Sequence, residues 1–251
     1  MLRLYTFTIS HFSEKARWAL DLERVPYEET PLLPGPHMMF TKRHVKRSSV
    51  PVLEHDGAFV QGSGAILDYV QERLGGKRLS CADEKRAREI EKLADEAWGL
   101  GTQRIFYEKL LDRPRDVADL WLQRGPWWGG LFYKVAFPLV RSRVRRMYKI
   151  SPDKVAESKD LFRRAFDETD RALAGGAKYL VGDRLSRADI VVAALLAPSC
   201  MPKEHVLKWP SELPPDLDAF LSELRSRPTW EFVLRMYRDH RRVDAPLSSA
   251  A

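Results

Sequence analysis

Hydroxyl side chains stand at two places where a predicted helix begins near the amino terminus. Ser10 and Ser13 follow the first predicted strand and open the first helix. Ser63 opens another helix, directly after Gln61 and Gly62. A helix amino terminus has free N–H groups and a partial positive charge, so both places suit an anion such as a thiolate or a carboxylate. Each serine could instead serve only as a helix cap.

A proline precedes a predicted strand in the segment Val50-Pro51-Val52-Leu53. Cis peptide bonds in folded proteins occur almost only before proline, and a cis bond here would mark a tight and specific backbone geometry. The alternative interpretation is an ordinary proline on an edge strand.

The first eighty residues combine strand and helix patterns. Residues 2–7 alternate apolar and polar side chains, as a half-buried strand does. Asp56-Gly57 is a hairpin signal between two further strands, and Gly75-Gly76 suits the end of a helix. The predicted order is β-α-β-α-β-β-α, although the pattern does not locate the second strand. This order is typical of a mixed α/β sheet. The helices are predicted over residues 12–23, 37–46 and 63–74.

From residue 81 onward the apolar residues recur at helical spacing and no strand pattern is visible. Pro138 predicts a kink or a break in one of these helices. The change of pattern falls near residues 75–83, so a small α/β domain followed by an all-helical bundle is predicted. The bundle helices are predicted over residues 83–111, 131–148, 155–173, 190–197, 217–225 and 229–240.

The composition is that of a soluble globular protein, with 44% hydrophobic and 31% charged residues among 251. The chain has two cysteines, Cys81 and Cys200, too few for a disulfide framework or a Cys-rich zinc site. One disulfide stays open, but two distant cysteines are more typical of reduced thiols in the cytoplasm. The start of the chain does not read as a signal peptide. The longest mostly apolar stretch, residues 126–140, is too short to span a membrane.

The formal net charge is +7, and residues 141–149 contribute five cationic side chains. Such a balance favours anionic partners, which include nucleic acid, acidic lipid and small carboxylates. A solvated helix face is the plainer interpretation. No recognised nucleic-acid module accompanies the charge, so nucleic-acid binding is not expected.

In their order and spacing, these motifs resemble the glutathione transferase superfamily, and the resemblance covers nearly the whole chain. Residues 10–20 are similar to the first-helix motif of the family, and residues 50–53 to its cis-proline motif. Ser63-Gly64-Ala65-Ile66 resembles the family's serine followed by an Ala-Ile helix. Residues 179–190 resemble its signature in the helical domain, where Ser186 caps a helix and Asp189 reaches back to it.

The resemblance implies a fold of two domains. Residues 1–78 would form an α/β thioredoxin-like domain that binds glutathione, and residues 83–244 an all-α helical bundle. It also implies a cytoplasmic homodimer. No metal is expected.

The resemblance also implies a set of site residues. Ser10 would donate a hydrogen bond to the glutathione sulfur, with His11 as an alternative general base. The backbone of Val50, fixed by Pro51, would pair with the cysteinyl part of glutathione, and Ser63 would bind the γ-glutamyl carboxylate.

Two parts of this site depart from the family pattern or stay open. Just before the serine that corresponds to Ser63, the family commonly has an acidic residue or glutamine, and this chain has Gly62. Gln61 would therefore have to substitute as the partner of the γ-glutamyl ammonium of glutathione. A basic side chain would meet the glycyl carboxylate, and His37, Lys42 and Arg43 are the candidates.

The function implied is activation of the glutathione thiol for attack on a small hydrophobic electrophile or a peroxide, a detoxification reaction. Serine rather than cysteine at position 10 and the lack of Cys-x-x-Cys disfavour a mixed-disulfide mechanism. Aromatic side chains of the helical half could line the electrophile pocket, or form core or a dimer face. These are Trp98, Phe106, Tyr107, Trp127, Trp128, Phe132 and Tyr133.

Two alternatives remain. Gly62 and the basic, aromatic segment 127–149 favour a non-catalytic binding or scaffold protein with the same fold. The tryptophans and cations of that segment would also suit contact with an anionic membrane surface, which is the weaker hypothesis.

Overall fold

The computed structural model describes residues 1–241, and the first of them form a four-stranded mixed sheet. The strands lie in the order β2-β1-β3-β4. Strand β1 is parallel to β2 and antiparallel to β3, and β3 is antiparallel to β4. The strands are β1 Leu2–Thr6, β2 Glu28–Pro31, β3 Val52–His55 and β4 Ala58–Gln61. The helices are α1 His11–Leu22, α2 His37–His44 and α3 Ser63–Arg73.

The sheet and two of its helices share one apolar core. Leu4 and Leu53 face each other across the β1–β3 ladder and are both fully buried. They lie in one cluster with Ala16 of α1 and Ile66 of α3, and these two helices pack together. The thioredoxin-like arrangement expected from the motifs is therefore present, and it places the start of α1, the start of α3 and the segment before β3 close to the second domain.

The rest of the described chain is helical. A π-helical turn, Asp95–Leu100, joins α4 to α5 without a break, where the sequence predicted a single helix. A short 3-10 turn follows α8. The helices are α4 Glu84–Ala94, α5 Gly101–Leu110, α6 Pro114–Leu122, α7 Gly129–Met147, α8 Pro152–Ala172, α9 Arg187–Cys200, α10 Pro215–Ser222 and α11 Pro228–His240.

Helix α9 is the centre of the molecule, since every one of its side chains is buried. It packs against α1 of the first domain and against α4 and α11. The Asp189 carboxylate accepts the Ser186 N–H at 2.8 Å and the Leu180 N–H at 2.8 Å, which confirms the predicted capping role. Burial raises the pKa of Asp189 to about 6.

Two predictions for this half need correction. Helix α6 was not predicted from the sequence, and Pro114 occupies its first position, where proline is well tolerated. Pro138 does not break α7, which continues through it. Pro138 lies on the exposed side, while Tyr133, Phe137 and Val140 bury the opposite face, and this packing outweighs the cost of the proline.

Helix α3 ends at Arg73 and α4 begins at Glu84. The division into residues 1–78 and 83–244 stays a prediction, and its last positions, 242–244, lie outside the described residues. Within residues 1–241, none of the helices is both long and apolar enough to cross a membrane.

Candidate functional site

A cavity of about 1420 Å³ lies between the two domains. One wall comes from the first domain, at the β1–α1 turn, the segment before β3 and the start of α3. The other wall comes from the helices of the second domain. Four of the predicted site positions line the cavity together with Ser10, and these are His37, Val50, Pro51 and Ser63.

Ser10 is the residue that opens α1 at this cavity. Its backbone is extended, and its Oγ accepts the Ser13 N–H at 3.2 Å, so it does cap the helix. Within residues 1–241 the hydroxyl has no acceptor for its own proton, and it is only half-buried. Capping and donation to a ligand are therefore compatible at Ser10. Ser13 is fully buried, and its Oγ accepts the Phe7 N–H at 3.4 Å.

His11 connects the cavity to the second domain. Its Nε2 donates to the Gly99 carbonyl at 2.9 Å, and the ring is buried. Burial lowers the pKa of His11 to about 4, so the ring is neutral near pH 7. The neighbouring Phe12 ring lies so close to Gly99 that a Cβ added at position 99 would overlap the ring.

The peptide bond between Val50 and Pro51 is cis, as predicted. The Pro51 carbonyl accepts the Gly62 N–H at 3.0 Å, which ties this turn to the start of α3. In the described chain neither the N–H nor the C=O of Val50 has a hydrogen-bond partner. Both groups are thus available to an extended ligand in the cavity.

Ser63 is the first residue of α3, and it is buried at the inner end of the cavity. The N–H groups of the first helical turn have no partner within the helix, because Ile66 makes its first hydrogen bond, to Gly62. The hydroxyl and these N–H groups together form a candidate site for a carboxylate.

The turn before α3 explains why this chain lacks an acidic side chain there. Gly62 has φ of 98°, in the region that side-chain-bearing residues rarely adopt, although an added Cβ would meet no neighbour within 4 Å. Gln61 does not line the cavity. Its Nε2 donates to the carbonyls of Arg47 at 2.6 Å and Ser49 at 2.9 Å, and its Oε1 accepts the Arg47 N–H at 3.1 Å. A contact between Gln61 and a ligand would need these bonds to break.

The basic side chains predicted for the glycyl carboxylate differ in whether they line the cavity. His37 lines the cavity, where its Nδ1 accepts the Gly35 N–H at 3.1 Å. Burial lowers the pKa of His37, only partly offset by its bond to the Ser48 carbonyl. Lys42 and Arg43 are exposed on α2 and are not among the lining residues. Sequence reasoning missed Arg47, which does line the cavity and whose position just before the cis-proline segment was the available signal.

A buried chain of ion pairs lies behind the start of α3. Lys15 Nζ lies 2.7 Å from Glu91 Oε1 and 2.8 Å from Asp95 Oδ1. Arg187 Nε lies 2.5 Å from the other Glu91 oxygen, and another nitrogen of Arg187 lies 2.6 Å from Asp68 Oδ1. Burial would raise the pKa of Glu91, but Lys15 and Arg187 outweigh it and hold that pKa below its ordinary value.

Asp95 is the one acidic residue among the lining residues found within 1–241, and no sequence motif pointed to it. Burial raises the pKa of Asp95, and Lys15 offsets this only in part. An added Cβ on Gly64 would lie 3.5 Å from Glu91 Oε1, so this network is adjacent to the first turn of α3. The carboxylate of Asp95 therefore belongs to the same end of the cavity as Ser63.

The opposite wall is apolar and aromatic. Of the predicted aromatic residues, Trp98 and Tyr133 are core and Trp127 is 94% exposed. Trp121 was not predicted, and its Nε1 donates to the Tyr107 hydroxyl at 3.2 Å. The aromatic lining residues of this wall are Phe106, Tyr107, Trp121, Trp128, Phe132, Tyr148 and Trp209. In the described part of the chain, no group of three or more His, Cys, Asp or Glu side chains is placed to hold a metal ion.

Comparison with known proteins identifies the family. Residues 4–78 match the profile described as glutathione S-transferase, N-terminal domain, and residues 132–228 match the profile of the C-terminal domain. The two matches together span well over half of the chain, which belongs to the glutathione S-transferase superfamily.

A curated glutathione S-transferase of Pseudomonas putida is 31% identical over 98 residues, which are 38% of this chain and 43% of that protein. The match thus spans less than half of that relative. A glutathione S-transferase structure from Methylobacterium radiotolerans, in complex with glutathione sulfonate, has a TM-score of 0.57 at 21% identity, covering 93% of this chain and 94% of that one. The beta-etherase LigF from Sphingobium sp. strain SYK-6 has a TM-score of 0.61 at 21% identity, covering 93% and 98%. At these identities the structures establish the shared fold.

Proposed function

We propose that this protein is a serine-type glutathione transferase that activates the glutathione thiol for attack on a hydrophobic electrophile or a peroxide. The observation that carries the proposal is the position of Ser10. Its hydroxyl proton is free, it opens α1, and it lines a cavity whose opposite wall is aromatic. The glutathione sulfonate bound by the Methylobacterium radiotolerans neighbour supports the choice of thiol.

The chemistry at Ser10 is stabilisation of a thiolate. A free cysteine thiol has a pKa of about 8.5, so only a few per cent is ionised at neutral pH. Hydrogen bonding to the charged form and the positive end of α1 both favour ionisation. A hydrogen bond to a charged group contributes about 1.5–3 kcal/mol, which corresponds to roughly one to two pKa units. The thiolate then attacks the electrophile, and the thiol proton passes to solvent.

The remainder of glutathione would be held along the first domain. The free N–H and C=O of Val50 would pair with the cysteinyl backbone, and Ser63 with the first turn of α3 would bind the γ-glutamyl carboxylate. Arg47 is the fixed cation best placed for the glycyl carboxylate, because His37 is held neutral by burial.

Asp95 supplies the partner that Gly62 lacks. The γ-glutamyl group carries an ammonium beside its carboxylate, so an anion is needed close to Ser63. Asp95 lines the cavity, and its network reaches the first turn of α3. Its carboxylate would bind the ammonium from the second domain, so that glutathione touches both domains.

Titration with glutathione tests the proposal directly. Heat would report binding, and ultraviolet absorbance would report the thiolate. Wild-type protein should give both signals, and Ser10→Ala should bind with the thiolate signal lost. Ser48→Ala is the matched control, since Ser48 also lines the cavity. Absence of binding at millimolar glutathione would reject the proposal.

A second candidate is a non-catalytic protein of the same fold, and Gly62 is the observation that favours it. It predicts that glutathione binds weakly and that Ser10→Ala leaves function unchanged. A large loss of turnover in Ser10→Ala would exclude it.

The family resemblance also supports a homodimer. Helix α7 and the segment just before it expose an apolar stripe, formed by Trp127, Leu131, Val135 and Leu139, which a second copy would cover. Light scattering of wild type and of Leu131→Glu tests this assignment, since a dimer built on the stripe should become a monomer. Salt-sensitive binding of a monomer to anionic vesicles would instead favour the membrane hypothesis.

A cytoplasmic location completes the proposal, because Cys81 and Cys200 are both free thiols. In that compartment conjugation would serve detoxification. Fractionation of cells that express the full chain would test the location.

A further inference from the structure

The four arginines of α7 divide into two pairs with different surroundings. Arg141 and Arg145 both contact Asp112, the latter at 3.1 Å. Arg143 and Arg146 line the cavity, are exposed to solvent, and have no ion-pair partner within residues 1–241. The first pair is therefore neutralised in part by the protein, and the second is not.

The position of each arginine around the axis of α7 explains this difference. Arg143 follows Ala136 by seven residues and Phe132 by eleven, so at 3.6 residues per turn it lies within about 20° of each of them around the helix axis. Phe132 and Ala136 both line the cavity. Arg143 thus continues the apolar face of α7 and ends it with a positive charge at the cavity rim.

None of the contacts proposed for glutathione involves the positive charge of Arg143 or Arg146. Arg47, on the other domain, is assigned to the glycyl carboxylate. Asp95, the acidic lining residue, is already paired with Lys15. The wall opposite the glutathione side therefore presents guanidinium groups that lack an anion, above a large aromatic surface.

We propose that the electrophile is an amphipathic anion, an extended apolar or aromatic molecule whose carboxylate or sulfonate is bound by Arg143 and Arg146. The inference rests on the proposed function and names its substrate class. The apolar wall would hold the body of the molecule by burial of nonpolar surface. The guanidinium groups would fix its direction, since they bind planar oxyanions through two parallel hydrogen bonds.

The cavity size agrees with this class. Its volume of about 1420 Å³ must hold glutathione and the second substrate together. Ligand pockets commonly have volumes of about 300–1,000 Å³, so room for an extended second molecule remains. Because both arginines are exposed, the charged group would stay in contact with water, and its binding should weaken with added salt.

Two electrophiles that differ by one carboxylate test the inference. They are 2-chloro-1,3-dinitrobenzene and 4-chloro-3,5-dinitrobenzoate. In each reaction the glutathione sulfur bonds to the ring carbon, the carbon–chlorine bond breaks, chloride leaves, and the thiol proton goes to solvent. The ratio of kcat/KM for the anionic over the neutral compound is the readout.

The ratio should fall at least tenfold in the Arg143→Gln/Arg146→Gln double variant. The Arg141→Gln/Arg145→Gln variant is the matched control, because it removes two charges from the same helix on the side of Asp112. It should keep the wild-type ratio. Equal ratios in all three proteins would overturn the inference.

An equilibrium measurement separates this inference from the proposed activity. Fluorescence binding of 8-anilinonaphthalene-1-sulfonate is compared with that of N-phenyl-1-naphthylamine, which has the same skeleton without the sulfonate. The Kd ratio should shift at least tenfold in the Arg143→Gln/Arg146→Gln variant and stay constant in the control. If glutathione does not bind but this shift is seen, the proposed function fails and the anion site stands. If turnover occurs and the shift is absent, the anion site is rejected.

Discussion

His11 donates a hydrogen bond from Nε2 to the carbonyl oxygen of Gly99, and this bond joins the helix opened by Ser10 to the π-helical turn of the second domain. The turn also carries Asp95, which pairs with Lys15 of the same helix α1, so these contacts between domains link the predicted hydroxyl donor Ser10 to the carboxylate of Asp95. Glycine is required at position 99 because Phe12 occupies the space of a Cβ.

Replacing Gly99 should disturb this contact. In Gly99→Ala the new methyl group would overlap the Phe12 ring, and overpacking of this kind costs about 1–3 kcal/mol. We expect a lower free energy of unfolding in urea and weaker glutathione binding.

Gly101→Ala is the control for that variant. Its added Cβ would lie 3.7 Å from Phe162, an ordinary contact, and alanine favours a helix by about 1 kcal/mol over glycine. Equal stability losses in the two variants would show that the Phe12 contact does not matter.

Removing the Ser10 hydroxyl should raise the pKa of bound glutathione by roughly one to two units, since one hydrogen bond to the thiolate is lost. The pH profile of kcat/KM would shift upward accordingly. Alanine also removes the helix cap, which costs about 1 kcal/mol, whereas glycine at a cap costs only a few tenths. The shift should therefore be the same in Ser10→Ala and Ser10→Gly, while their stabilities differ. If the pKa shift of bound glutathione is instead larger in the less stable of the two variants, Ser10 acts as a helix cap alone.

Asp95→Asn should weaken glutathione through its ammonium group. The Lys15 partner Glu91 remains in this variant, so the buried lysine keeps one carboxylate. We expect the KM for glutathione to rise several-fold, with a smaller rise for glutathione acetylated on the γ-glutamyl nitrogen. Asp116→Asn, an exposed change on α6, is the control. Equal effects on both thiols would argue against the ammonium contact.

His205 should make the fold sensitive to mild acid. Burial lowers its pKa to about 4, although Glu14, 3.8 Å from its Nε2, favours the charged form. Arg17 and Arg241, the charged groups facing it from α1 and from the end of α11, oppose protonation further. The unfolded chain binds the proton near pH 6.5, so the free energy of unfolding should fall as pH decreases from 6.5 to 4.

The His205→Gln variant should lose about 3 kcal/mol of this dependence across the interval, and buried His11, whose pKa is also lowered to about 4, accounts for a similar remaining slope. Urea unfolding at several pH values measures it. His44→Gln, at an exposed position, should keep the wild-type slope. The buried carboxylate Glu14 acts at lower pH. Burial would raise its pKa, but Arg241 and its other cations hold it at about 2, so this stabilisation is lost only between about pH 4 and 2.

Local signals in the sequence were sufficient for most of the fold. Residue periodicity predicted the helices of both domains apart from α6, and the proline before β3 predicted the cis bond at Val50-Pro51. Strand β2 was not located because Glu28–Pro31 has no alternating apolar pattern, and all four of its residues are only half-buried.

The residues of the candidate site were predictable only where they belong to a short sequence motif. Ser10, Val50 and Ser63 could be named because each belongs to a short motif at an element boundary. The proposed roles of Asp95 and Arg47, and the hydrogen bonds that hold Gln61, depend on contacts between residues that are not neighbours in the sequence. Likewise, only the orientation of α7 distinguishes Arg143 from Arg145, which are equally basic in the sequence.

The ion pairs of Arg187 have a consequence for how the chain is made. Asp68 leaves the ribosome well before its arginine partner, which lies 119 residues further along. Until α9 has been synthesised, the face of α1 that packs against α9 stays uncovered. That apolar face of α1 should therefore remain accessible to chaperones and proteases during translation. A ribosome stalled before α9 would leave it exposed.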